Sequence, residues 1–336
     1  MSLTSNLTFS VTCNQTAQGQ QNSTCISDST AERISKLCAY CVILLGSLFG
    51  NTFITIIVYK HQDLRKTINY FIVNMAVSDL LFPLIVFPVQ ITQLVTESMH
   101  WHVSGTLGSI FCKLYIFTSS VSLFVSVQSL MWIAVDRFVA VVFPMKLGLI
   151  SSKIRKIAIA STWIVAGAFY FPWLLSSGLA EYGNITFCSL VNIQSIFPSR
   201  EAEQGYGWLY VALCFLAPLF LITILYSAIP ITLKRGKNTY ADTAVVVLVM
   251  FYICVIPYTL SLFINSWKSS CAHFIAIIML YFSSVVNPSI ICLSFVESYR
   301  RGLRNIVCYF CGMQGNKRAK RERITLKEMR NLPCEK

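Results

Sequence analysis

The sequence predicts an all-α membrane protein, a bundle of seven transmembrane helices with an amphipathic helix on its inner surface. Three observations lead there. Seven apolar stretches run through the 336 residues, each near the ~20 residues that a helix needs to cross a hydrocarbon core. Charged residues make up only 12% of the chain and hydrophobic ones 55%, against roughly 25% charge in soluble domains. The net charge of +13 is sorted by membrane side rather than spread along the chain.

Residues 1–34 read as a disordered extracellular tail, polar and poor in apolar side chains. They carry glycosylation triplets at Asn6, Asn14 and Asn22. They lack the basic start and apolar centre of a cleavable signal peptide, so the first span is expected to act as the targeting signal. One membrane domain covers 35–298, with spans predicted at Leu37–Tyr59, Ile68–Leu94, Ser109–Val142, Ile157–Leu179, Trp208–Leu233, Thr243–Ile264 and Ala272–Val296. These runs are too long and too evenly apolar for barrel strands. The two halves show no obvious similarity, which disfavours a repeat-built transporter.

Within the spans, polar and kinking residues mark each element. Span one holds Gly50-Asn51, a small residue for close helix approach beside an amide seeking a partner. Asp79 lies deep in span two, ahead of Pro83 and Pro88. Span three opens with Cys112 and closes with Asp136-Arg137. Trp163 and Pro172 mark span four, Pro218 and Tyr226 span five, Phe251, Cys254 and Pro257 span six, and Asn287-Pro288 span seven. The longest outer loop is expected over 180–206 and contains a fourth triplet at Asn184. Residues 299–312 alternate apolar and basic residues, as an amphipathic surface helix does, and 313–336 form a basic cytoplasmic tail near anionic lipid.

Orientation follows from charge and parity. With the N-terminus extracellular, most Lys and Arg fall in the inner loops and the C-terminal tail, among them Lys60, Arg65, Lys153, Lys234 and Arg300. Four spans separate the tail triplets from Asn184, so both lie on one side, and the basic tail follows an odd number of spans. A nucleic-acid partner would require the basic residues on one soluble face, and none is expected.

Four constellations could carry chemistry. Asp79, a carboxylate at mid-membrane, must be paired, hydrated or protonated. With Asn51, Ser126, Ser284 and Asn287 it could make a site for a proton or a small hard cation. The plainer alternative is a neutral Asp bonded to the amides and serving only packing. Arg137 stays charged and needs headgroups or acidic and hydroxyl partners, Asp136 being nearest and Tyr226 within reach if the helix end opens. An interfacial pair that only fixes span depth is the bland reading. Prolines in five spans, Pro88, Pro172, Pro218, Pro257 and Pro288, give either static shape or a bundle that pivots. Of the 13 cysteines, Cys112 and Cys188 lie on the oxidising side and can pair, with Cys25, Cys271, Cys13 and Cys38 open to a second bridge. Cys41, Cys214, Cys254 and Cys292 read as small apolar packing, and Cys308 and Cys311 as palmitoylation sites. The four histidines lack metal-ligand spacing, and no nucleophile or phosphate motif appears, so no enzyme is expected.

In order and spacing these residues resemble the rhodopsin-like G-protein-coupled receptors. Gly50-Asn51, Ala76 to Leu80, Trp101, Cys112, Asp136-Arg137-Phe138 with Val142-Phe143-Pro144, Trp163, Pro218 with Tyr226, Phe251-x-x-Cys254-x-x-Pro257 and Asn287-Pro288 carry the likeness over Leu37 to Cys311. The resemblance implies a plasma-membrane receptor whose sixth helix swings outward when an outer ligand binds, activating a heterotrimeric G protein. It further implies Arg137 as the G-protein contact with Asp136 as its resting partner, Asp79 with Ser126 and Asn287 as an allosteric sodium site, and Cys112–Cys188 as the loop disulfide. Pro257 would be the pivot and Phe251 part of its packing switch. No other cofactor is implied.

The chain departs from the family pattern at three places. Val255 stands where the family usually has Trp, Ile291 where it has Tyr, and Lys237 where the inner end of span six usually offers an acid. Ser119 replaces the span-three Asp of amine receptors, and 272–296 hold no Lys to bind retinal. The short connector between spans five and six and the triplet-rich tail resemble peptide receptors, so an extracellular neuropeptide is expected, with Glu97, Glu181, Glu201 and Glu203 as acids that could attract a basic one. The alternatives are a non-signalling scaffold or decoy of the same fold and, further off, a channel or transporter, which would need polar groups along a continuous path.

Overall fold

The computed structural model describes residues 29–143, 151–183, 185–191, 193–232, 239–263 and 271–290. Long helices dominate. The first, α1 (Thr30–Lys60), starts earlier than hydropathy suggests, because Ser29 and Glu32 form a reciprocal capping box that nucleates a polar first turn. At about 1.5 Å per residue its 31 residues outrun a core of ~30 Å, so the outer turns stand clear of the hydrocarbon. Residues 30–34, expected in the tail, thus belong to the helix.

Helices α2 (Thr67–Thr96), α3 (Gly105–Val142) and α4 (Ser152–Ser176) follow. Span four ends three residues before the expected Leu179, because the chain turns there into a hairpin. Strands β1 (Ser177–Tyr182) and β2 (Ile185–Leu190) pair antiparallel with Leu179 opposite Cys188. Gly183, at φ +59°, supplies the left-handed turn residue that an L side chain rarely adopts. Among the described residues, the helices are thus accompanied by one two-stranded sheet, in the connector between spans four and five. A short helix, α5 (Ile193–Ile196), leads to span five, which is built as α6 (Arg200–Val211), a π-helical segment over Ala212–Leu216 and α7 (Ala217–Thr232). Its polar start, capped by Ser199, explains why it precedes the expected Trp208. Spans six and seven are α8 (Thr239–Phe263) and α9 (Cys271–Ile290).

Among the described residues, five helices are long and apolar enough to cross a bilayer, ending with Arg200–Ala228, and α8 and α9 contribute apolar stretches at Tyr252–Ser261 and Ala272–Asn287. Helix α3 packs on α2, α4 and α7, while α1 packs on α2 and α9, and α8 lies between α7 and α9, closing the ring. The core runs down the centre through Ile54, Phe71, Val125, Tyr170, Phe215 and Ile222. Close approach of α1 to α9 occurs at Gly46, where a Cβ would meet Val285 Cγ1 at 3.0 Å.

Buried polar groups fasten the helices to one another. Asn74 of α2 donates from Nδ2 to Ser129 Oγ of α3 (2.8 Å) and to Thr162 Oγ1 of α4 (3.2 Å), and its Oδ1 accepts from Trp163 Nε1 (2.8 Å). Without water, each such amide must find partners within the bundle.

Candidate functional site

Near the C-terminal end of α3, Asp136 and Arg137 are both partly buried. Arg137 is near enough to act electrostatically on the Asp136 carboxyl and on the hydroxyl of Tyr226 from α7. Tyr226 is 2% exposed, and among the described residues its hydroxyl makes no hydrogen bond. A buried hydroxyl left unspent costs free energy, so it is a group poised to take a partner.

Half-way across the bundle, Asp79 is 5% exposed on α2. Asn287 Nδ2 of α9 donates to Asp79 Oδ2 at 3.2 Å, and Ser126 of α3 is near enough to act on the same carboxyl. Helices two, three and seven therefore meet near one acid. Asn51 and Ser284 take other jobs. Asn51 Nδ2 donates to the Ser47 carbonyl (2.9 Å), Ser47 Oγ (3.1 Å) and the Ser284 carbonyl (3.0 Å), tying α1 to α9. Ser284 Oγ donates to the Tyr281 carbonyl (2.8 Å), and Ser47 Oγ to the Asp79 carbonyl (3.0 Å). The Asp79 carboxylate with the neighbouring Ser126 hydroxyl and Asn287 amide offers oxygen atoms of the kind that a small hard cation takes.

At the end of the bundle where α3 begins, covalent and main-chain bonds hold the connectors. Cys112, at the start of α3, and Cys188 of β2 form a disulfide with an S–S distance of 2.01 Å. Two residues away, the Thr186 carbonyl accepts from the Trp101 N–H at 2.6 Å, and the Thr186 N–H donates to His100 Nδ1 at 3.3 Å. The hairpin is thus pinned to α3 on one side and to the first outer loop on the other. Cys38 is a free thiol. Arg33 of α1 pairs with Glu97, which closes α2 in a left-handed conformation, and Lys36 lies 5.1 Å from the centre of the Phe274 ring. Of the four acids named above, Glu97 is exposed but paired, Glu203 is buried at 5% exposure, and Glu181 and Glu201 are exposed.

The family model for the 7 transmembrane receptor (rhodopsin family) matches residues 50–291. The chain belongs to that family. Among similar proteins, the QRFP-like peptide receptor of Branchiostoma floridae is 26% identical over 294 residues, covering 80% of this chain and 76% of the relative. The substance-K receptor of Bos taurus is 29% identical over 294 residues, 79% and 73% respectively. Neuromedin-U receptor 2 of Mus musculus is 26% identical over 334 residues, 85% and 82%.

In this receptor, Pro257 lies within α8, followed by Thr259, whose Oγ1 donates to the Val255 carbonyl at 3.0 Å, a back-bond of the kind that bends helices. Phe251 and Pro288 fall in helices α8 and α9, but their side chains lie outside the described set, as does Ile291. Also outside it are Asn6, Asn14, Asn22, Asn184, Lys237, the expected amphipathic helix 299–312 with Cys308 and Cys311, and the tail 313–336.

Two features escaped the sequence reading. The Asn74 hub gave a signal, an amide inside an apolar run, that Asp79 overshadowed. Cys214 was expected to pack as a small apolar residue, yet its Sγ lies 3.2 Å from the Tyr170 hydroxyl, in hydrogen-bonding contact. Nothing in spacing distinguishes such a thiol from an inert one.

Proposed function

We propose that this receptor binds an extracellular peptide at the mouth framed by the β1–β2 hairpin and responds by activating a heterotrimeric G protein at its inner face. The observation that carries this is the rim at the end of α3, where the Arg137 charge acts on Asp136 and on a buried Tyr226 hydroxyl that makes no hydrogen bond among the described residues. Arg137 has five donors in a planar fork, suited to backbone carbonyls of a docking partner once the helix ends part. A ligand achieves this only through better affinity for the parted arrangement than for the resting one. The peptide class is supported by relatives whose names specify peptide receptors, with Ser119 in place of an amine-binding acid.

We also place an allosteric sodium ion at Asp79, Ser126 and Asn287. Its charge would offset the buried carboxylate and bind the resting convergence of helices two, three and seven. The N-terminus is extracellular on the grounds of charge asymmetry and tail triplets.

The deciding experiment is GTP exchange in membranes carrying the receptor, screened with peptide libraries, for wild type and Arg137→Ala. Peptide-dependent exchange that Arg137→Ala abolishes, with surface expression kept, supports the reading. Peptide binding without exchange would instead mark a decoy, the alternative that the Val255 and Ile291 substitutions favour.

A further inference from the structure

Helices five and six each carry a proline, and a side-chain hydrogen bond joins them close to both. Thr223 of α7 lies five residues after Pro218, and Tyr252 of α8 lies five residues before Pro257. Their hydroxyls hydrogen-bond each other. A second bond fixes the direction of the first. Thr223 Oγ1 donates its single proton to the Leu219 carbonyl at 2.5 Å, so the Tyr252 hydroxyl donates and Thr223 accepts.

The position of this pair gives it leverage. Consecutive spans run in opposite directions, and α7 and α8 pack on each other. Thr223 and Tyr252 therefore both fall between their proline and the connector that links the two helices. A helix bends most readily at proline, where a backbone donor is missing, and the bond ties together the two segments that such bending would part. Tyr226, whose buried hydroxyl makes no hydrogen bond among the described residues, follows Thr223 by three residues. Thr223 and Tyr252 are half-buried in apolar stretches, where lipid offers no replacement acceptor. When the helices part, Thr223 keeps its bond to Leu219, while the Tyr252 hydroxyl loses its acceptor. The cost thus falls on the parted arrangement alone. Phenylalanine would fill the same space without it.

We propose that the Tyr252–Thr223 bond is a clasp that holds helices five and six together on the connector side of their prolines, and that its release frees Tyr226 to meet the Arg137 charge. The inference rests on the receptor reading above and deepens it, naming the bond that a ligand-driven swing of helix six must break. Tyr252 and Thr223 are positioning residues, acting through the lean of their helices. A ligand that binds the parted arrangement better has this bond to offset.

The test uses full-length receptor in membranes without ligand. It compares wild type, Tyr252→Phe, Thr223→Val, the double variant, and Thr223→Ser, which keeps the hydroxyl. One readout is basal GTP exchange. The other is alkylation by N-ethylmaleimide, followed by peptide mapping, of Cys254, a free thiol 1% exposed on α8 and two residues from Tyr252. A hydrogen bond within a membrane shifts an equilibrium by about threefold on average, so Tyr252→Phe and Thr223→Val should each raise Cys254 alkylation and basal exchange by about that factor. The double variant should add little, since both changes remove the same bond, and Thr223→Ser should match wild type. Retention of surface expression and of the Cys112–Cys188 disulfide separates opening from misfolding, and either single variant suffices if the other does not reach the surface. Unchanged Cys254 alkylation in a surface-expressed single variant, or additive effects of the two singles, overturns the clasp. If the wild type drives no exchange under any condition, the receptor reading fails, while the alkylation arm still decides the clasp.

Discussion

Asn74 serves three partners on two other helices, so its loss strands more than one bond. Asn74→Ala removes three bonds and leaves Trp163 Nε1 without its acceptor, while Ser129 Oγ and Thr162 Oγ1 keep the bonds they donate to the Val125 and Ile159 carbonyls. At about 0.6–1 kcal/mol per bond within a membrane, the expected destabilisation is ~2 kcal/mol, readable as a lower melting temperature in detergent with a thiol-reactive dye. Tyr226 predicts the opposite sign. Tyr226→Phe removes a buried hydroxyl that makes no hydrogen bond, so the resting receptor should gain about 1 kcal/mol of stability. Agonist-driven exchange should fall at the same time, because the group that meets Arg137 on opening is gone. Asp79 and Arg137 were legible from the sequence because an ion in hydrocarbon is expensive and so conspicuous. Asn74 and the contact between Tyr170 and Cys214 were not. Amides and phenols are ordinary in apolar helices, and their meaning lies in which helix face meets which, a relation that no linear spacing carries.

Among the elements, hydropathy located the spans but not their ends. The capping box at Ser29, the cap at Ser199 and the hairpin after Ser176 fix where three helices begin or stop, and each is polar chemistry outside the lipid. The outer hairpin was illegible, because Ser177–Tyr182 and Ile185–Leu190 are short and pair only in the context of the disulfide and the first outer loop. Helix contacts were only partly legible. Gly50 drew notice beside Asn51, whereas the tight approach to α9 falls one turn earlier, at Gly46. Gly46→Leu should drive Val285 and α9 away from α1 at a cost of roughly 1–3 kcal/mol. The same displacement should loosen the bonds from Asn51 to the Ser284 carbonyl, and thermal melts of Gly46→Leu and Asn51→Ala in combination should be less than additive.

At the scale of the whole molecule, the disulfide and the charge asymmetry set what each membrane face does. Cys188→Ser removes the covalent tie between the hairpin and α3 while the bonds at Thr186 remain, so peptide affinity should drop at least about tenfold, measured on intact cells, as ordering the loop becomes part of binding. Replacing Asn6, Asn14 and Asn22 together with Gln should increase the receptor's mobility in denaturing gels if the tail lies outside. An unchanged band would contradict the proposed orientation.

The outer hairpin is fastened by a disulfide and by peptide groups of Trp101 and Thr186, with one imidazole as the further tie. Main-chain bonds are indifferent to side-chain identity. Residues along the strands can therefore be exchanged during evolution without loosening the lid, which lets a lineage retune what it recognises while the machinery beneath stays fixed.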